Sequence, residues 1–111
     1  GDHVQADEVA VVPSTAYAMS LAAVSLRDRL TPSRHAIVVL HGQNHSNVMA
    51  WQAICEGGRG ELSIVHPNDV GDWTAALLTR LAIGDVAICA VPPCHWCDGA
   101  LIDLVAVGDA C

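Results

Sequence analysis

The densest group of chemically reactive side chains in this 111-residue chain lies between Cys94 and Asp98 and reads Cys-His-Trp-Cys-Asp. Two thiols, an imidazole and a carboxylate can in principle carry out redox chemistry or ligate a metal ion. A C-x-x-C pair standing alone is a weak motif, and the chain has no second C-x-x-C pair. A small redox or metal-binding module therefore stays open as an alternative, but we expect no bound metal.

A second candidate lies near the N-terminus, where Pro13, Ser14 and Thr15 follow an apolar run and precede a helical pattern. The free N–H groups and the dipole at the start of a helix can bind a phosphate. Serine and threonine are also ordinary N-cap residues, and from the spacing alone an N-cap without a ligand is favoured. The chain contains no G-x-S-x-G, G-x-G-x-x-G or Walker pattern, so these motifs support neither a hydrolase nor a nucleotide-binding protein.

Both candidates follow an apolar run, and the apolar runs predict the fold. The runs are continuous rather than alternating, which is typical of parallel strands covered on both faces. We predict four strands at Glu8–Val12, Ala36–Leu40, Leu62–Val65 and Val86–Val91. The predicted fold is α/β, with a mostly parallel sheet and helices on both faces. Right-handed crossovers would bring the strand ends, and with them Ser14, Asn44, Pro67 and Cys94, to one edge of the sheet.

Helical patterns follow each predicted strand. The first helix runs to about Leu30, and its early turns are apolar nearly all round, which predicts burial on several sides. Ser46 is the expected cap of the second helix and Asp72 that of the third, at Trp73–Leu81. The last helix is predicted from about Gly99 to Cys111.

The composition restricts the class of protein. Hydrophobic residues make up 52% of the chain and charged residues 15%, which for so short a chain suggests a piece of a larger core or a subunit with a buried face. The net charge of −7 argues against a nucleic-acid partner, and no apolar run approaches the ~20 residues of a membrane span. Free thiols favour a cytoplasmic protein. We expect residues 1–7 to be a disordered or cut terminus.

Three sequence blocks, in this order, resemble the class V aminotransferases, which are pyridoxal 5′-phosphate (PLP) enzymes of fold type I. The first, VAVVPSTAYAMSLA at Val9–Ala22, is similar to the strand and helix that carry the cofactor phosphate. The second, VVLHGQNHSNVMAW at Val38–Trp51, resembles the strand, loop and S-N-V-x-x-W helix beside the cofactor ring. The third, VPPCHWCDGALIDLVAVGDAC at Val91–Cys111, resembles the strand-end loop and the D-G-x-x-x-D-L helix.

The resemblance implies a phosphate-binding turn at Ser14, Thr15 and Ala16. A hydroxyl side chain is common in the family at the position of Ala16, and this chain lacks it.

The resemblance also implies contacts to the cofactor ring. Asn44 occupies the position whose side chain usually stacks on the pyridine, although an amide cannot stack as His or Phe does. His95 and Trp96 belong to the loop along the cofactor edge, and Trp96 lies near the position that often hydrogen-bonds the ring hydroxyl.

All five basic residues are arginines, so the chain has no lysine to form a Schiff base with PLP and we assign it no catalytic residue. The resemblance implies that residues 8–111 are part of a PLP-binding large domain, inactive alone. The full-length enzyme would be a homodimer acting on an amino acid, as a transaminase, a cysteine desulfurase or a C–S lyase. A non-catalytic α/β assembly subunit is a further alternative.

Overall fold

A computed structural model describes residues 5–111 of the chain. Within this range, three parallel strands form one sheet in the order β2-β1-β3, with β1 at Ala36–Leu40, β2 at Glu61–Val65 and β3 at Val86–Cys89. The pairing of β1 with β2 is regular, whereas the pairing of β1 with β3 contains a bulge next to Ala36. The predicted α/β class with a parallel sheet is confirmed.

Four α-helices connect or flank the strands in the described part of the chain: α1 Thr15–Leu26, α2 His45–Glu56, α3 Trp73–Leu81 and α4 Leu104–Asp109. Each begins at a polar side chain that accepts a hydrogen bond from the backbone of the first turn. These N-caps are Ser14, Asn44, Asp72 and Asp103. No helix among residues 5–111 combines the length and apolar character that crossing a membrane requires.

The helices cover both faces of the sheet, as predicted from the fully apolar strand β1. Successive side chains of a strand point to opposite faces, so β1 supplies two hydrophobic clusters. The buried residues of the first cluster, under α1 and α2, are Ala23, Ile37, Val39, Trp51 and Ile88. The second cluster, under α3 and α4, includes Val38, Leu40, Trp73, Leu77 and Val107. Every residue of β1 is buried, so this strand is the centre of the core.

The strand predicted at Glu8–Val12 is wrong. Ala6–Glu8 form a single 3₁₀ turn, and the four residues after it are irregular and exposed. Val11, for example, is 98% exposed. An apolar run becomes a strand only where it lies along the edge of another strand, and these residues pair with neither outer edge of the sheet.

Two helix predictions also need correction. The first helix ends at Leu26 and continues as a 3₁₀ turn at Arg27–Arg29, and only Ala23 of its residues is buried. Its apolar outer side faces solvent because no layer of the described chain covers it. The last helix begins at Leu104 rather than Gly99, because an antiparallel bridge between Cys94 and Leu101 holds the preceding residues in a closed loop.

The strand order places a crevice at the carboxyl ends of β1 and β3. The helix after β1 covers one face of the sheet, whereas the helix after β3 covers the other. Loops that leave neighbouring strands toward opposite faces open a gap between them, and ligands of open α/β sheets bind there.

Candidate functional site

A cleft of about 400 Å³ opens at the carboxyl ends of β1 and β3, beside the start of α1, and we call it the strand-end cleft. Its size falls within the range of about 300–1,000 Å³ that is typical of small-molecule sites. Its walls come from α1, from the loop and helix after β1, and from the end of β3 with the loop that follows. The lining residues include Thr15, Met19, Gln43, Asn44, Asn47, Trp51, Cys89, Ala90 and Trp96.

The N-terminus of α1 forms one end of the strand-end cleft. Ser14 is the N-cap, and its Oγ accepts a hydrogen bond of 3.2 Å from the backbone N–H of Tyr17. The backbone N–H groups of Thr15 and Ala16 and the Thr15 hydroxyl have no acceptor among residues 5–111. Thr15 lines the cleft directly, so donors without an acceptor in the described chain and the positive end of a helix dipole lie at its edge.

Asn44 lies on another wall of the cleft and is the N-cap of α2. The sequence predicted Ser46 for this role, but the Asn44 Oδ1 accepts the backbone N–H of Ser46 at 2.9 Å, and α2 begins at His45. Asparagine is as good an N-cap as serine, and it comes first in the chain. Its Nδ2 amide donates to no acceptor in the described part of the chain, which leaves a polar donor available to a ligand.

Two amide side chains that the sequence analysis missed fix the wall between β1 and β3. The Nε2 of Gln43 and the Nδ2 of Asn47 both donate to the carbonyl oxygen of Ala90, each at 3.0 Å. The Gln43 Oε1 accepts from the N–H of Leu40 at 2.8 Å, and the Asn47 Oδ1 accepts from the indole of Trp51 at 3.1 Å. These amides are therefore satisfied by the protein, and they position the strand ends.

Trp96 closes the cleft from the loop after β3. Its indole N–H donates to the carbonyl oxygen of Gly42 at 2.6 Å, and the Cys97 thiol donates to the same oxygen at 3.3 Å. Gly42 has a φ of +69°, a left-handed conformation that favours glycine and that turns its carbonyl toward this loop. The loops after β1 and β3 are thus joined at one backbone oxygen.

His95 lies behind Trp96 and not on the cleft. The residue is 3% exposed, with Nδ1 3.1 Å from Oδ1 of Asp98 and Nε2 3.0 Å from the carbonyl oxygen of His41. Of the positions that the resemblance implied, Thr15, Asn44 and Trp96 come together on the strand-end cleft. Ser14 and Ala16 flank Thr15 outside its lining, and His95 supports the loop from behind.

The carboxylate of Asp98 anchors this support. The backbone N–H of Ala100 and the indole N–H of Trp73, each at 2.9 Å, together with His95, hold the pKa of Asp98 below its ordinary value. Donors to a carboxylate stabilise its charged form, so Asp98 stays ionised at neutral pH. The Cys94–Asp98 group therefore holds a loop together through its histidine and its carboxylate.

The thiols in and near the site differ in their burial. Cys89 lines the strand-end cleft, and burial, with the neighbouring Cys111 as a smaller cause, raises its pKa to about 11. Cys94 and Cys97 are exposed and free. Among residues 5–111, no group of three or more His, Cys, Asp or Glu side chains could hold a metal ion.

A larger groove of about 830 Å³ runs along the outer edge of β3 and includes none of the predicted site residues in its described lining. Its walls carry Arg29, Arg34 and Cys111, and its floor is an edge of β3 that pairs with no other strand of the described chain. The Nε of Arg34 already donates to the carbonyl oxygen of Val86 at 3.0 Å. We attribute this groove to the open edge of the sheet and not to a ligand.

A comparison with protein-family models matched residues 3–111 to the family described as Aminotransferase class-V. A comparison with curated proteins found no match, and a comparison with solved structures found none either.

Proposed function

The chain belongs to the aminotransferase class V family, and on that premise we propose that its strand-end cleft binds PLP for a reaction on an amino-acid substrate. The family is PLP-dependent in general, and residues from all three family-like sequence blocks line this cleft. One observation carries the proposal. Thr15, Asn44 and Trp96, from three separate sequence blocks, line the same cleft at the carboxyl ends of β1 and β3.

The donors present fit the cofactor. The N–H groups of Thr15 and Ala16 and the Thr15 hydroxyl, which have no acceptor among the described residues, would hold the phosphate, since anions bind at helix N-termini without a buried cation. The Asn44 amide would donate to a polar substituent of the ring. The remaining walls are mainly apolar and include Met19 on α1 and Trp96 in the loop after β3, and they would exclude water from the ring faces.

PLP supplies an electron sink for the bond that breaks at the substrate Cα. The residues of this chain would bind and orient the cofactor, and none is assigned a proton transfer. The lysine that holds PLP covalently in such enzymes has no counterpart among these 111 residues. We therefore propose that the chain is part of a PLP-binding large domain and has no turnover alone. Transamination, desulfuration and C–S cleavage stay open as reactions, and the homodimer and the cytoplasmic location stay predictions.

Binding of PLP to the purified chain tests the proposal. We expect saturable, non-covalent binding in equilibrium dialysis that inorganic phosphate weakens by competition. Thr15→Asp should abolish it, because a carboxylate at the first position of α1 repels the phosphate while favouring the helix dipole. Ser20→Asp adds the same charge to an exposed position of the same helix, outside the cleft, and should leave binding unchanged. Equal PLP binding by both variants would refute the assignment.

A further inference from the structure

We propose that a planar heteroaromatic ligand ring stacks on the indole of Trp96 in the strand-end cleft. Trp96 would thus take over the stacking role that the family resemblance implies for the position of Asn44. The proposal rests on the proposed function for the identity of the ring, a phosphorylated pyridine. It assigns to Trp96 a role that differs from the hydrogen bond to the ring hydroxyl that the sequence resemblance implies.

The side chain of Asn44 is not free to be a platform. Its Oδ1 is held by the N–H of Ser46 as the cap of α2, and an amide offers no π face comparable with an aromatic ring. Asn44 can contribute a donor from Nδ2. The ring of a ligand in this cleft therefore needs an aromatic neighbour elsewhere.

Two tryptophans line the strand-end cleft, and they differ in access. Trp51 is 2% exposed and packs in the cluster between α2 and the sheet, with its N–H bonded to Asn47. Trp96 is 59% exposed. Trp96 is thus the aromatic side chain of the described cleft lining that retains an open ring surface for a ligand.

The hydrogen bond of the Trp96 side chain determines which part of the indole a ligand can contact. The N–H is committed to the Gly42 carbonyl oxygen at 2.6 Å, so it cannot donate to a ligand without breaking that bond. The loop that carries Trp96 is held from behind by His95, which is buried between Asp98 and the His41 carbonyl. The ring is therefore ordered before a ligand arrives, and an ordered contact surface costs less entropy on binding.

Binding of pyridoxine 5′-phosphate, measured by equilibrium dialysis, tests this role. This probe has the ring and phosphate of PLP but no aldehyde, so it cannot react with the amine of Gly1. Trp96→Phe retains an aromatic face and loses the N–H, whereas Trp96→Leu retains apolar volume and loses the face. We expect Trp96→Phe to bind within about twofold of the parent chain and Trp96→Leu to bind about tenfold more weakly, because aromatic contacts exceed equivalent apolar burial by about that factor.

Two controls distinguish a failure of the stacking role from a failure of the proposed function. Thr15→Asp, which removes the phosphate site alone, and circular dichroism, which checks that each variant is folded, accompany every titration. If the parent chain binds and Thr15→Asp does not, but Trp96→Leu binds as tightly as the parent, the stacking role is refuted and the proposed function stands. If Trp96→Phe loses as much affinity as Trp96→Leu, the N–H is the important group and the inference is wrong. If the folded parent chain binds no probe at millimolar concentration, both proposals fail.

Discussion

The buried imidazole of His95 stacks on the indole of Trp73, with ring centroids 4.3 Å apart and planes inclined by 23°. Trp73 is the first residue of α3, whereas His95 belongs to the loop after β3. Asp98 completes the arrangement, because its two carboxylate oxygens contact the Trp73 N–H and the His95 Nδ1. Trp96 follows His95 in the same loop and lines the strand-end cleft, so this stack supports the loop that forms one wall of the cleft.

Removing the imidazole should destabilise the fold. His95→Ala loses the stack and two hydrogen bonds at a position that is 3% exposed, and we expect the free energy of unfolding to fall by about 2 kcal/mol. His45→Ala, at the exposed first position of α2, is the matched control and should change it by less than about 0.5 kcal/mol. Urea denaturation measures both. Equal midpoints for His95→Ala and the parent chain would show that the stack contributes nothing.

The stability contributed by Asp98 should depend on pH. Hydrogen bonds from Ala100 and Trp73, with His95, lower the pKa of Asp98 in the folded state below its ordinary value of 3.8. A carboxyl with a lowered folded pKa stabilises the fold above the unfolded pKa, and this stabilisation is lost as the pH falls through the folded pKa. The difference in stability between the parent chain and Asp98→Asn should therefore shrink as the pH falls below about pH 4.

Urea denaturation at a series of pH values measures that difference. Asp69→Asn, which removes a carboxylate without a hydrogen-bond partner in the described residues, corrects for the loss of one charge. A difference that grows as the pH falls below about pH 4 would contradict the assignment.

Asn47 should contribute more to the stability of the fold than a polar residue on a helix surface usually does. Asn47→Ala removes one of two donors to the Ala90 carbonyl and leaves the buried N–H of Trp51 without its acceptor. We expect a loss of about 1–3 kcal/mol in the free energy of unfolding. Gln52→Ala, on the same helix, breaks only an exposed side-chain bond to Glu56 and should be nearly neutral. Thermal unfolding compares the two variants, and equal effects would refute the role given to Asn47.

The sequence predicted correctly those segments that pair or pack with another segment of the described chain. Strand β1 and the helix Trp73–Leu81 with its Asp72 cap were predicted with the observed bounds, because local pattern and burial agree there. The strand predicted at Glu8–Val12 was wrong, because hydrophobic character indicates what a segment could pair with but not whether that partner is available.

The residues of the site likewise divide into those that the sequence identified and those that it did not. The three blocks pointed to Thr15, Asn44 and Trp96, which line one cleft. The roles of Gln43 and Asn47 could not be predicted, because both depend on the Ala90 carbonyl, more than forty residues away in the chain. The buried position of His95 depends in the same way on the His41 carbonyl and on Trp73. Polar groups satisfied across a fold leave no local signal in the sequence.

The isolated chain should self-associate as its concentration rises. Tyr17, Leu21 and Val24 follow a helical spacing on α1 and are each more than half exposed, which is a large apolar stripe for a small domain. Leu21→Glu should shift sedimentation-velocity profiles toward monomer, because a charge in the stripe opposes burial. Thr79→Glu adds the same charge to an exposed position of α3, outside the stripe, and should shift them less. A parent chain that stays monomeric at high concentration would contradict the expectation.

The chain should form no covalent adduct with PLP at an internal residue and should turn over no amino acid. PLP is held in its enzymes through a lysine amine, and all five basic residues here are arginines. An arginine cannot substitute, because its guanidinium stays protonated at working pH. The α-amine of Gly1 can react as any free amine does, so peptide mapping must locate each product. We therefore expect that treatment with PLP and borohydride modifies the N-terminal peptide alone. A stable adduct on a defined internal residue, or turnover above the rate of free PLP, would show that this chain carries catalytic chemistry of its own.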